Sequence, residues 1–282
     1  MKSLSFSTNA FKQNTLEEAI DAIASIGYAG IELMADVPHA YPATFDRARR
    51  GRVKQQIRDR QLVVSNINAF TLFACGDTYH PTWIEDDDSL RQRRIDHTLG
   101  AIELAHDFEC PTISLQPGGP LIGTPFSRQL AGERFAAGLE RVLPTARRLG
   151  ITLAIEPEPG LFIENASEYL EFKNRFFKNE ANVLMNCDIG HLFCVGEDPA
   201  QVIRDNAIEI VHVHLEDIGK NRVHQHLTPG KGVINFDSIF AALDAIQYYG
   251  RATVELYPYE TTAAGVARQA WEHLNKHLHG RS

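Results

Sequence analysis

Eight short runs rich in β-forming residues alternate with longer stretches of helical periodicity along the whole chain. The runs are Leu4–Thr8, Gly30–Met34, Leu62–Asn68, Thr112–Gln116, Thr152–Glu156, Asn182–Asp188, Ile210–Leu215 and Thr253–Leu256. Helical patterns between them include Leu16–Ile26, Leu90–His106, Gly132–Leu149, Phe236–Tyr248 and Ala264–His277. Strands joined through helices pair in parallel, because the chain must travel back before it can start the next strand. The 282 residues suit a single (β/α)8 TIM barrel, which takes roughly 250. The rival, an open doubly wound sheet, usually carries a glycine-rich phosphate loop after its first strand. Ser7-Thr8-Asn9-Ala10-Phe11 has none.

One local pattern recurs. The segments 25–33, 148–156 and 249–256 each run helix, glycine, strand, glutamate. Glycine just past a helix end takes the left-handed cap without steric cost, so Gly27, Gly150 and Gly250 are predicted to mark three equivalent joints. No Pro/Ser-rich linker splits the chain, and one domain over residues 1–282 is expected.

Composition narrows the class. A hydrophobic share of 44% and a charged share of 23% exclude disorder, collagen and coiled coil. No apolar run approaches the ~20 residues of a membrane span, and the segment from Met1 to Thr8 lacks the apolar core of a signal peptide. A cytoplasmic protein without a membrane partner is the expectation. The formal charge of −8 repels a phosphate backbone, and the densest basic stretch, Arg47 to Arg60, reads as a helix rather than a groove, so nucleic acid is not expected as a partner. Cys75, Cys110, Cys187 and Cys194 are widely spaced and suit reduced, structural thiols.

The polar residues in the strands carry more information. Side chains two apart share a face, so in Val211-His212-Val213-His214-Leu215 the two histidines turn into the barrel. The same parity turns Glu32, Gln116, Glu156, Asp188 and Glu255 inward at the C-terminal ends of their strands. Buried carboxylates cost several kcal/mol each unless paired or bound to a cation, and no lysine or arginine lies on these strand ends. A divalent metal is the expected partner. Glu156, Asp188, His214 and Glu255 come from four consecutive strands and could converge on one ion. Three carboxylates and one imidazole favour Mn2+, with Mg2+, Co2+ or Zn2+ as alternatives. Taken singly, each reads equally well as a polar residue satisfied on its own.

Five motifs complete the picture: Ile155-Glu156-Pro157-Glu158-Pro159-Gly160, Cys187-Asp188-Ile189-Gly190-His191, His212-Val213-His214-Leu215-Glu216-Asp217, His226-Leu227-Thr228-Pro229-Gly230-Lys231-Gly232 and Val254-Glu255-Leu256. In combination they resemble the xylose-isomerase-like TIM-barrel superfamily of ketose 3-epimerases, hydroxypyruvate and inosose isomerases, inosose dehydratases and endonuclease IV-type abasic-site nucleases. The resemblance covers essentially the whole chain and is closest to the ketose 3-epimerase and inosose isomerase branch. It implies that Glu156, Asp188, His214 and Glu255 are metal ligands and that His191 faces the substrate. It also implies a sugar or polyol isomerase or epimerase in which the metal stabilises an enediolate while Glu156 and Glu255 remove and return the proton beside a carbonyl. Return to the opposite face gives epimerisation, return to the neighbouring carbon gives isomerisation, and loss of a β-hydroxyl gives dehydration. Relatives often form dimers or tetramers, which implies a homodimer or homotetramer here.

Two other readings stay open: a nuclease-like phosphodiesterase or a lyase, and a non-catalytic sugar-binding barrel. The nucleases hold three zinc ions and use histidines after the third and fourth strands, where this chain has Asn66-Ile67-Asn68 and Ser114-Leu115-Gln116. The pair His224 and His226, spaced like a further zinc-binding pair, points the other way. Among single residues, Glu158 is expected to contact a substrate hydroxyl or to sit on the rim. His226 stands where epimerases carry an arginine and is expected at the substrate or holding backbone. His212 is expected as a hydrogen-bonded core residue. His39 and Tyr41 are candidates for a substrate wall, the loop Phe70–Asp88 for a lid or subunit contact, and Gly118-Gly119 for a turn rather than a phosphate cradle.

Overall fold

The structure is a computed structural model that describes residues 3–123 and 125–279. Met1, Lys2 and the last three residues, on which part of the leader and domain readings rests, lie outside the described residues.

Eight parallel strands close into one barrel in sequence order: β1 (Leu4–Ser7), β2 (Gly30–Met34), β3 (Val63–Asn68), β4 (Thr112–Leu115), β5 (Thr152–Ile155), β6 (Val183–Asp188), β7 (Ile210–Leu215) and β8 (Ala252–Val254). The ring closes where Leu4 pairs with Ala252 and Phe6 with Val254. Around it run α1 (Leu16–Ile26), α2 (Arg47–Asp59), α3 (Asp88–Asp107), α4 (Arg128–Leu149), α5 (Ala166–Phe176), α6 (Ile189–Cys194), α7 (Pro199–Asp205), α8 (Phe236–Ala245) and α9 (Ala263–His279). Most apolar strand residues, among them Phe6, Ile31, Leu33, Ile113, Leu153, Val213 and Val254, are fully buried in one continuous hydrophobic core. The doubly wound alternative is thereby excluded. None of the described helices is long and apolar enough to cross a membrane.

Local chemistry sets the helix ends. Thr15 and Glu18 form a reciprocal capping box at the start of α1, and Asp188 caps α6 by accepting from the His191 amide. Gly27 (φ 113°) and Gly150 (φ 69°) take the left-handed caps after α1 and α4 as expected. Gly250 does not: α8 ends three residues before Tyr248, and Gln247 takes the left-handed conformation (φ 55°) instead. Gly250 is required for another reason, since a Cβ there would collide with the Tyr248 ring. Arg49 and Arg50 of α2, and Arg60 just past its end, are answered by acids on neighbouring helices, Glu17, Asp107 and Asp21 respectively. All four cysteines are free.

Candidate metal centre and cavity

The four predicted ligands meet at the C-terminal end of the barrel because β5 to β8 are adjacent and each chain leaves its strand at the same height. His214 Nδ1 lies 3.0 Å from Glu156 Oε1, 3.7 Å from Asp188 Oδ2 and 3.7 Å from Glu255 Oε2. One ligand atom from each residue falls within 4.8 Å of the other three, and all four residues are buried. Glu156 Oε2 and Asp188 Oδ2 have no hydrogen-bond partner. Buried carboxylate oxygens without a donor are costly, and a donor set of three carboxylates and one imidazole fits a hard or borderline divalent cation.

The remaining atoms of these side chains are engaged elsewhere. Asp188 Oδ1 accepts from the His191 amide at 2.8 Å. Glu255 Oε1 accepts from Asn9 Nδ2 at 2.8 Å and from Asn68 Nδ2 at 3.0 Å. His214 Nε2 faces Glu32 Oε2 at 2.8 Å. Burial, reinforced by the neighbouring carboxylates, raises the Glu156 and Glu255 pKa values above the usual carboxylate range. Burial opposes the charged form of His214, but Glu32, Glu156 and Glu255 outweigh it and raise its pKa.

Beside this centre stand His191, His224 and His226. His191 Nδ1 lies 3.1 Å from the Pro157 carbonyl, and His226 Nδ1 lies 3.0 Å from the Glu255 carbonyl. A carbonyl only accepts, so each ring carries its proton on Nδ1 and presents a bare Nε2. The two Nε2 atoms are 3.3 Å apart, and His224 Nε2 is 3.3 Å from that of His226. Burial lowers the pKa of all three, that of His226 to about 4. His191 and His226 therefore turn neutral, unprotonated Nε2 atoms toward the cavity. His226 holds backbone with one nitrogen and turns the other toward the cavity.

Glu158 is buried rather than solvated on the rim. Tyr79 Oη donates to its Oε1 at 3.0 Å, and His224 Nδ1 is 3.8 Å from the same oxygen. Glu156, Glu158, Glu255 and the histidine trio line a cavity of about 520 Å³, within the range of small-molecule sites. Lys12, on the loop after β1, is at the mouth and pairs with Glu260 at 2.6 Å.

Several expectations need correction or completion. His39 is buried and bonds the Phe11 and Asn14 carbonyls, and Tyr41 faces a separate cavity behind the loop, so neither joins the wall. The wall comes from the loop Phe70–Asp88: Phe70, Thr71, Phe73 and Tyr79 face the cavity, while Trp83 is buried against Phe135. Asp36 ties this loop down, accepting from Thr71 Oγ1 and from the amides of Phe73 and Ala74. His212 is a core residue, 3.1 Å from Glu32. Gly118 and Gly119 adopt positive φ in a turn, where a Cβ would meet Phe162 or Thr82. The turn at Thr228–Gly232 is organised from within, since Asp217 Oδ2 accepts from the Gly230 and Gly232 amides and Oδ1 from those of Ile218 and Ile234. Sequence reasoning missed Asn9, the cavity-lining Tyr257 and the supporting role of Asn68. For Asn68, its place at the end of β3 in phase with Asn66 was the available signal.

A family profile described as the xylose isomerase-like TIM barrel matches residues 20–277, and the chain belongs to that family. An inosose dehydratase of Clostridium perfringens (strain 13 / Type A) is 25% identical over 261 residues, covering 86% of this chain and 83% of that protein. Among solved structures, the IOLI protein with a bound zinc atom superposes with a TM-score of 0.79 at 15% identity, covering 100% of this chain and 99% of that one. D-psicose 3-epimerase of Clostridium cellulolyticum H10, solved with D-tagatose, gives 0.78 at 16% identity, covering 99% of each.

Proposed function

We propose that this chain is a divalent-metal-dependent isomerase or epimerase that moves a proton at the carbon beside the carbonyl of a sugar or polyol. The observation that carries the reading is the placement of Glu156 and Glu255. They stand on the outer two of four consecutive strands, each with a carboxylate oxygen at the centre marked by His214 Nδ1. A divalent ion held by Glu156, Asp188, His214 and Glu255, manganese by first preference, supplies Lewis acidity that makes such a carbon more acidic. A molecule on the centre lies between the two glutamates, so one takes the proton and the other returns it. Burial keeps both in the less polar setting in which a carboxylate is a stronger base. His191, Glu158 and His226 present acceptors to the hydroxyls of the bound molecule and fix which carbon is placed between the glutamates.

The family supports this reading at the level of substrate class: relatives are named inosose dehydratase and D-psicose 3-epimerase. Dehydration begins with the same proton removal and ends with loss of a neighbouring hydroxyl. The four free thiols suit a reducing, cytoplasmic setting. The histidine trio favours a second reading, a metal-dependent phosphodiesterase with an additional ion at His191, His224 and His226.

Two measurements decide. Incubation with a panel of ketoses and inososes in deuterated water should place deuterium beside the carbonyl, with metal content near one ion per chain. No exchange across the panel, together with two or three zinc ions and cleavage of phosphodiesters, would replace the first reading by the second.

A further inference from the structure

Glu32 is one of the most heavily engaged side chains in the protein and has no role in the chemistry described so far. It is fully buried in the middle of β2, two residues short of the strand end where the sequence placed it. Its Oε2 faces His212 Nε2 at 3.1 Å and His214 Nε2 at 2.8 Å and accepts from Asn66 Nδ2 at 2.9 Å, while Oε1 accepts from Asn68 Nδ2 at 3.1 Å. We propose that Glu32 is a positioning residue for the metal centre, holding His214 with its proton on Nε2 and, through Asn68, fixing which oxygen of Glu255 remains free.

The argument starts from acceptor chemistry. An ionised carboxylate only accepts, so a neutral His214 facing Glu32 through Nε2 carries its proton there and leaves Nδ1 unprotonated, an arrangement that the Asn186 amide, with Nδ2 3.3 Å from Nδ1, also favours. Nδ1 is the nitrogen that faces Glu156, Asp188 and Glu255. The opposite tautomer is available locally, because Glu156 Oε1 lies 3.0 Å from Nδ1 and would accept a proton held there. Glu32 biases the ring against it. A carboxylate behind an imidazole also increases the donor strength of the opposite nitrogen. The second branch runs through Asn68, whose Nδ2 is shared between Glu32 Oε1 and Glu255 Oε1. With Asn9 on the same Glu255 oxygen, only Oε2 of Glu255 is left to face the centre. One side chain on β2 thus orders ligand atoms on β7 and β8, across the barrel interior. This inference rests on the four-residue metal centre, and the test separates the two.

Co2+ is the probe, read by its visible absorption and by competition for affinity, in the parent, Glu32→Gln and His212→Gln. A glutamine amide can turn its NH2 toward His214 Nε2 and select the wrong tautomer, so Glu32→Gln should weaken Co2+ binding about 10- to 100-fold and change the spectrum. His212→Gln removes another buried partner of the same carboxylate and should leave affinity and spectrum close to the parent's. A merely structural Glu32 would make the two variants behave alike. Unchanged affinity and spectrum in Glu32→Gln, or equal losses in both variants, overturns the inference. A parent that does not bind Co2+ overturns the metal centre itself. If Glu32→Gln does not fold, the zinc-loaded parent suffices: nitrogen-15 histidine spectra should show a proton on His214 Nε2 and metal at Nδ1, and the reverse arrangement sinks the proposal.

Discussion

Strands β5 to β8 end in side chains with bare atoms, whereas β1 to β3 lead to side chains whose polar atoms are largely tied off. Glu156 Oε2 and Asp188 Oδ2 lack a hydrogen-bond partner, while both oxygens of Glu32 are engaged by four residues. Asn9 and Asn68 likewise spend their amide groups on Glu255. The half of the barrel that would hold the ion is left electrostatically incomplete, and the other half holds it in that condition. A carboxylate at a strand end is a ligand only when its neighbours leave it unsatisfied.

The strongest attempt to break this contrast is to neutralise the incomplete half. Glu156→Gln and Glu255→Gln should each lower deuterium exchange by roughly 10²- to 10⁴-fold, the usual contribution of an acid or base. Each should also raise the denaturation midpoint of the metal-free protein, since one of several mutually repelling buried carboxylates is neutralised. Full exchange in either variant, or a lower metal-free midpoint in both, would contradict the contrast. Metal removal comes next. Metal at one hundred times its dissociation constant should add about 2.7 kcal/mol of stability over the chelated form, and calorimetry that shows no difference would leave the centre without its ion.

A third test, through pH, addresses His97, which is buried on α3 away from the metal centre. Burial, with Arg94 adding, depresses the His97 pKa to about 3, against about 6.5 in an unfolded chain. Between those values the unfolded chain binds a proton that the folded one refuses, so stability falls as pH drops through this window. The slope is about 1.4 kcal/mol per pH unit for this group. Denaturation of His97→Gln across the same window should show that much less slope. The smallest effect is expected at Tyr79→Phe. Loss of the phenol bound to Glu158 should raise KM by a factor of about 5, the equivalent of roughly 1 kcal/mol for one hydrogen bond, with kcat little changed; an unaltered KM would take Glu158 out of substrate contact.

Much of this was legible in the sequence. Periodicity located all eight strands to within a residue or two, because parallel strands covered by helices must show runs of apolar side chains. Parity placed Glu156, Asp188, His214 and Glu255 on the interior. Parity reached its limit where the shared repeat hid a difference between Glu32 and Glu156: Glu32 lies within β2 and Glu156 just past the end of β5, and their partners across the barrel differ accordingly. The same limit hid Tyr79, whose approach to Glu158 depends on the course of a long loop. It also misplaced His39, which turned back onto the backbone after β1. Gly250 misled for a simpler reason, since glycine is needed where a ring comes close as well as where φ is positive.

The turn folded around Asp217 has its own consequence. Barrels of this kind often seat a phosphate among the backbone amides of the loops that follow their seventh and eighth strands. Here four such amides already serve a carboxylate from the same chain. An arriving phosphate ester would have to evict a resident anion of like charge to settle there.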